Sequence, residues 1–397
     1  MNFLLTALES PGFLFPVLGI GRELQARGHR VAILTGPQGA SFTQAAGLQR
    51  IPRGPGSDDG RSFEVENWGT PPAIGLQLLH LQHALQHFPA QAILSGQLTL
   101  GPQLLRIVTG IPTAVLGLAF FPYWPQPTAP PQQQPWAGQW DRLHEAATFL
   151  GIPGIPPHID SLDDLPLLGD HFFVRSVPQL EALDTPLPTP RASYVGSGLY
   201  EPDTPPDPEL DAFIASALTD GAHILYACPG RSFDTASFWP ILCRALGSQP
   251  SQWRVIASVG RHDRDTGTPP PNFLFRNHLP QGHILRHAHA VLASGHSTAV
   301  LGALHAGLPC LVMGGGSRSE VIGQRLAASG AGFYIPTADF ASLPPETAAQ
   351  LCDQALSNLL TSAPMRQRAS SMSKAFQALP TASIVADALE QLAAATR

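Results

Sequence analysis

Five residues, Ser294-Gly295-His296-Ser297-Thr298, stand between an apolar run and the helix-like stretch TAVLGALHAG. A glycine and small hydroxyl residues just before a helix are suited to an anion. The first N–H groups of a helix lack internal partners, and the helix dipole favours negative charge there. A second candidate is Cys228-Pro229-Gly230-Arg231-Ser232, in which Arg231 is suited to bidentate pairing with a phosphate. His80, His83 and His87 recur at helical spacing. That pattern suggests a metal, but no third ligand accompanies it, so a solvated or cleft-facing helix side is the simpler reading. His283, His287 and His289 are read as decorating helix surfaces.

The elements that must carry these residues follow from the apolar pattern. Asn2–Leu8 is a short apolar run that ends in Glu-Ser-Pro-Gly, which reads as a buried strand and then a loop. Phe15–Arg27 has helical spacing and stops at Gly28, and HRVAILTG reads as a second strand. AQAILSG and PTAVLGL read as later strands, separated by a helix over Gly101–Thr109. A strand–helix–strand opening of this kind predicts a parallel, doubly wound sheet. Pro186–Pro208 is rich in proline and is read as a linker. Beyond it HILYACPG, Phe238–Leu246 and WRVIASVG restart the pattern, and Met365–Arg397 reads as two helices.

The expected fold class is therefore α/β, with two Rossmann-like domains facing across a cleft. The expected domains are 1–200 and 201–380, with the 381–397 helix packing back on the first. Ligands of such sheets bind beyond the carboxyl ends of the strands, so the site is expected between the domains.

Composition narrows the function classes. The chain has 397 residues, 44% hydrophobic and 13% charged, which favours a packed core over disorder. Its net charge is −6, Lys374 is its single lysine, and it has no basic run. That argues against a nucleic-acid partner. Four cysteines without a CxxC pair read as reduced core thiols, with neither metal nor disulfide frame. The apolar start lacks a basic n-region and is broken by Glu9, Pro11 and Gly12, and no segment reaches the roughly 20 apolar residues of a membrane span. The expectation is a cytoplasmic protein, monomer or homodimer.

The opening TALESPGFLFPVLGIGRELQARGHRVAILTG, the tract YVGSG at Tyr194–Gly198, LPQGHILRHAHAVL, SGHSTAVLGALHAGLPCLVM and the SGAG at Ser329–Gly332 together resemble the family 1 glycosyltransferases, bacterial natural-product type. The resemblance spans nearly the whole chain. It implies the GT-B fold, no prosthetic group, a UDP- or dTDP-sugar co-substrate, and transfer with inversion to a small-molecule acceptor.

Several family positions differ here. The family's catalytic base position is occupied by Phe13, and that of its orienting acid by Ser95. A phenyl ring takes up no proton, and a base works through geometry held by its partner. The family's His-Gly-Gly, which holds the diphosphate, reads Ser294-Gly295-His296, with His296 placed to reach the phosphates instead; its Asp-Gln, which contacts sugar hydroxyls, reads Arg318-Ser319. Gln281 is retained and His278 stands where the family often has an aromatic residue. The resemblance thus assigns Gly230, Arg231, Ser232, His278, Gln281, Ser294, Gly295, His296, Ser297, Thr298, Arg318 and Ser319 to the donor.

Glu9, just after the first strand, is the first substitute for the base; otherwise it is a loop carboxylate. Phe13, Phe15, Phe120, Tyr123 and Trp124 are expected to line an apolar acceptor pocket, against ordinary core packing. Asp58, Asp59, Glu64 and Glu66 lie in a Gly-rich loop that closes over the acceptor or is merely mobile. Three functions remain open: a transferase with an altered mechanism, a catalytically inactive homologue acting as partner or small-molecule binder, and a scaffold repurposed for another reaction on a hydrophobic substrate.

Overall fold

The computed structural model describes residues 1–54, 61–118, 120–126, 128–156, 158–181, 187–228, 238–259, 268–314, 317–336, 338–339 and 342–395. They form two compact units. Unit 1 comprises Met1–Val177, Thr185–Asp203 and Leu379–Arg397; unit 2 comprises Pro178–Asp184 and Thr204–Ala378.

Unit 1 begins with β1 (Asn2–Thr6), α1 (Pro11–Ala26), β2 (Arg30–Leu34), α2 (Ala40–Ala45) and β3 (Gln49–Arg50). It continues with α3 (Pro71–His87), β4 (Ala92–Gly96), α4 (Gly101–Thr109), β5 (Thr113–Leu116), α5 (Ala137–Leu150), β6 (His171–Val174) and β7 (Ala192–Tyr194). All pairings are parallel, in the order β3-β2-β1-β4-β5-β6-β7. A parallel sheet covered on both faces needs apolar side chains on both, which explains the unbroken apolar strands. Leu4, Ile93 and Val115 face one core with Phe63, Leu81 and Trp140. Phe3, Leu5, Leu94 and Ala114 face the other with Val17, Leu18 and Leu24 of α1.

Two local differences from the sequence reading have clear causes. The helix expected from Phe15 starts at Pro11, because proline at a first helical position has no N–H to lose and a preset φ. The proline-rich stretch expected as a linker contains β7, which pairs with β6 from Phe172↔Ala192 to Val174↔Tyr194. It is the edge strand of the sheet, where flanking prolines remove no ladder bond.

Unit 2 contains α6 (Pro208–Thr219), β8 (His223–Cys228), α7 (Phe238–Leu246), β9 (Trp253–Ser258), β10 (Phe273–Arg276), α8 (Gln281–Leu285) and β11 (Ala290–Ala293). They are followed by α9 (Ser297–His305), β12 (Cys310–Gly314), α10 (Ser317–Ala328), β13 (Gly332–Pro336), α11 (Pro345–Thr361) and α12 (Ala363–Gln377). Its parallel sheet has the order β10-β9-β8-β11-β12-β13. Leu225, Val255, Leu292 and Leu311 build its core with Trp239, Leu242 and Leu356. The short segment around Glu181 belongs to this unit, and its buried carboxylate pairs with Arg325 of α10.

The last helix, α13 (Thr381–Ala395), returns to unit 1. The Thr381 hydroxyl accepts the Gly198 N–H at 2.8 Å and donates to the Val195 carbonyl. Arg27, at the end of α1, pairs with Asp387 and Glu390, and His29 lies 2.7 Å from Glu390. Among the described residues no helix is long and apolar enough to cross a membrane.

Candidate functional site

In each sheet the chain starts in the middle, builds outward one way and then returns to build the other way. The switch lies between β1 and β4 in unit 1 and between β8 and β11 in unit 2. Neighbouring loops diverge there and leave a crevice beyond the strand ends, where ligands of open α/β sheets bind.

In unit 2, Ala293 pairs with Cys228 at the carboxyl ends of β11 and β8. The turn Ser294–His296 follows immediately and leads into α9. Gly295 adopts φ 82°, and a Cβ there would lie 2.8 Å from the Ser319 Cα in the first turn of α10. Any larger residue would be strained and would push α10 away. The close approach sets the starts of α9 and α10 side by side.

His296 occupies the position before α9 without capping it, and its Nδ1 lies 2.7 Å from the Ser294 Oγ. Neither α9 nor its preceding residue supplies an acid, and Ser297 and Thr298 are half-buried. The first-turn N–H groups of α9 have no carbonyl of their own helix to serve. Small residues, uncapped amides and the dipole therefore favour an anion at this turn.

Gln281 donates to the Thr298 carbonyl at 3.2 Å, so it braces α9 from behind. His278 is exposed between β10 and α8. Ser319 stands against Gly295, and Arg318 lies in the first turn of α10, its side chain outside the described set. Gly230, Arg231 and Ser232 lie outside the described residues. The β8 strand ends at Cys228, which pairs with Ala293 just before the Ser294 turn.

In unit 1, Thr6 pairs with Ser95 at the switch. The Ser95 hydroxyl is fully buried and lies 3.0 Å from the carbonyls of both Gly96 and Thr99, so it folds the loop after β4. Glu9 is 6% exposed; its Oε2 accepts the Gln38 N–H at 3.1 Å, and its own N–H donates to the Phe63 carbonyl. A Cβ at Gly36 would overlap the Glu9 carboxylate. The glycine thus lets the acid dock on the loop after β2.

The aromatic residues divide. Phe13, on the first turn of α1, is half-buried, and Trp124 packs partly buried at the edge of its core. Phe15 stacks edge-on against Phe42 at 4.9 Å inside one core. Tyr123 is fully buried in the other core, bonded to Gln97 and Gln139. Tyr123 has no exposed surface and Phe15 only 7%, so both are core members in this state. Phe120 is 4% exposed and is the single described non-glycine residue with positive φ, 64°. Such strain gathers at ligand clamps and switch regions.

Two sequence readings change. His80 does not lie on a solvated or cleft-facing surface: it is 2% exposed, packs near Phe63 and accepts the Gly54 N–H at 3.1 Å. His289 stands just before β11 rather than on a helix surface, and its Nδ1 accepts the Ile224 N–H at 3.0 Å. Glu64 holds the Asn67 amide at 2.8 Å in a short turn; Asp58 and Asp59 lie outside the described residues. Among the described residues no group of three or more metal-ligating side chains occurs. Burial pushes the Cys243 thiol up to about 11 and the Cys352 thiol up to about 12.

Sequence reasoning missed one charged group at this edge of unit 1. Arg175 follows β6 directly and is 1% exposed. The signal was an arginine embedded in the apolar run HFFVRSV.

The comparisons with known proteins agree with this architecture. Residues 253–392 match the family described as Erythromycin biosynthesis protein CIII-like, C-terminal domain. The glycosyltransferase SnogD from Streptomyces nogalater superposes with a TM-score of 0.74 at 19% identity, covering 99% of both chains. The fold is that of the GT-B glycosyltransferases. A spinosyn rhamnosyltransferase, SpnG, complexed with thymidine diphosphate, has a TM-score of 0.69 at 21% identity, over 98% of this chain and 100% of that one. Among curated sequences, 4'-demethylrebeccamycin synthase of Lentzea aerocolonigenes is 21% identical over 373 residues, 84% of this chain and 87% of the relative. The likeness to natural-product glycosyltransferases read from the sequence thus stands, on the GT-B scaffold and on the C-terminal family.

Proposed function

We propose that the protein transfers a sugar from a nucleoside-diphosphate donor to a small, largely apolar acceptor, with inversion at the anomeric carbon. The observation that carries this reading is the Ser294–Thr298 turn. It puts an uncapped helix start, tightened by Gly295 against α10, at the switch point of the unit 2 sheet. A diphosphate leaving group gains negative charge as the glycosidic bond breaks, and fixed N–H donors stabilise that charge without reorganising. Arg231 and His296 are the side chains proposed to join them, and Arg318 and Ser319 those nearest the sugar. The thymidine diphosphate named for the SpnG complex favours dTDP over UDP.

Unit 1 is proposed to hold the acceptor, with Phe13 and Trp124 as apolar contacts. Among the groups considered for proton transfer, Phe13 has none to offer, the Ser95 hydroxyl is spent on backbone carbonyls, and Glu9 is docked on the loop after β2. General-base help is typically worth 10²–10⁴-fold, so the reading requires an acceptor that is already acidic. The same three observations favour a second reading, a non-catalytic binder on this fold.

Titration of the purified chain with dTDP and UDP, followed by calorimetry or thermal shift, tests the donor site. Micromolar binding of either is expected. No response to any nucleoside diphosphate would sink the transfer reading. Binding without turnover across phenol, carboxylate and alcohol acceptors would leave the binder.

A further inference from the structure

The Arg175 side chain is among the largest fully buried groups in the protein. Its Nε donates to the Ser197 carbonyl and its Nη1 to the Gly12 carbonyl, both at 3.2 Å. Among the described residues its Nη2 has no hydrogen-bond partner. No acid among the described residues offsets its charge, and burial alone pushes its pKa down to about 10. Burying an unpaired charge costs several kcal/mol, and two carbonyls can be held by neutral donors. A guanidinium kept here without a counter-ion is therefore half of a pair.

The surroundings indicate the other half. Gly12 is the second residue of α1, whose first turn has no acid and whose preceding Ser10 makes no side-chain cap. The helix start thus adds its own preference for an anion. Pro11, Gly12 and Phe13 are half-buried, while Leu14, Phe15, Phe173 and Val195 around this turn belong to the apolar core. One cation balances one negative charge; a diphosphate would bring surplus charge into an apolar site.

We propose that Arg175 is the anchor for a carboxylate on an otherwise apolar small molecule, reached when Phe13 and the first turn of α1 give way. The proposal rests on the acceptor role given to unit 1: it makes the acceptor class an amphipathic acid. Nη2 then donates to the carboxylate, a charge-assisted bond that also offsets the buried cation.

The test uses the full chain with 3-phenylpropanoate and its neutral amide as probes, by calorimetry and by hydrogen exchange. The acid is expected to bind at least about tenfold more tightly than the amide. It is also expected to slow exchange at the Phe13 and Leu14 amides. R175Q is expected to bind both probes equally, and R175K to retain part of the preference. Equal binding of acid and amide by the wild-type chain overturns the proposal. So does a preference that persists in R175Q, or displacement of the acid by dTDP or inorganic phosphate, which would assign Arg175 to phosphate. If R175Q does not fold, the exchange measurement on the wild-type chain decides: protection away from the first turn of α1 refutes the site. Nucleotide binding is read separately, so its loss removes the glycosyl-transfer reading while acid preference alone tests Arg175.

Discussion

The Glu9 carboxylate accepts the Gln38 backbone N–H at 3.1 Å, joining the loop after β1 to the loop after β2. An acid placed where a sequence reader expects proton transfer is engaged in holding two loops together. Gly36 makes room for it, since a side chain there would overlap the carboxylate.

The E9Q variant separates the two roles. As a loop anchor, Glu9 contributes a charge-assisted hydrogen bond, so E9Q is expected to lower stability by about 1–2 kcal/mol. Turnover under the proposed function is expected to stay within about threefold, against the 10²–10⁴-fold loss of a true base. Urea unfolding and steady-state rates check the two halves.

Gly295→Ala tests the Ser294–Thr298 turn as the proposed donor site. The φ of 82° disfavours a side chain, and the new Cβ meets Ser319. A stability loss of about 1–3 kcal/mol is expected. Affinity for dTDP is expected to fall by about tenfold or more, because α9 and α10 separate. Calorimetric titration of the folded variant reads the second effect independently of the first.

Asp170 closes the base of β5 and β6. Its carboxylate takes Arg106 in a fork at 2.9 and 2.6 Å and accepts the Thr113 N–H at 2.8 Å. Burial pushes its pKa up, but the Arg106 and Thr113 hydrogen bonds outweigh that and hold it below the usual value. A lowered folded pKa gives stability that is present above the unfolded value near 4 and lost as pH falls through the folded one. D170N is expected to destabilise by about 2 kcal/mol at pH 7. The difference from wild type is expected to shrink as pH falls below about 4, followed by thermal unfolding.

Three half-buried histidines give the opposite limb of a pH profile. Burial lowers the pKa of His171, with the Arg191 charge adding to it; burial and then His223 lower His289; burial lowers His305. Each resists protonation in the folded chain more than in the unfolded one. Their contribution is therefore full above the unfolded value near 6.5 and declines as pH drops through it. The melting temperature is expected to be lower at pH 5.5 than at pH 8, and His289→Asn is expected to weaken that dependence. A flat profile between those values would contradict the assignment.

Much of the architecture was legible in the sequence because parallel strands covered on both faces must be apolar runs, and runs such as NFLLT and AVLA leave no polar alternative. The turn at Ser294–Thr298 was legible because the glycine, hydroxyls and helix start are contiguous. Side-chain roles were less so. Tyr123 and Phe15 share the aromatic character of Phe13 and Trp124, yet their exposure depends on helices and strands distant in the chain.

The sequence by itself determined two doubly wound halves, the Ser294–Thr298 turn and the absence of a titratable group at Phe13. Those follow from local pattern and side-chain chemistry. Only the tertiary structure decided that Glu9 docks on Gln38, that His80 is a core histidine, and that Arg175 reaches Gly12 with one nitrogen unpartnered among the described residues. These depend on residues separated by tens to more than a hundred positions. Burial and pairing are set by which distant backbone groups the folded chain brings to a side chain, and no local pattern records that.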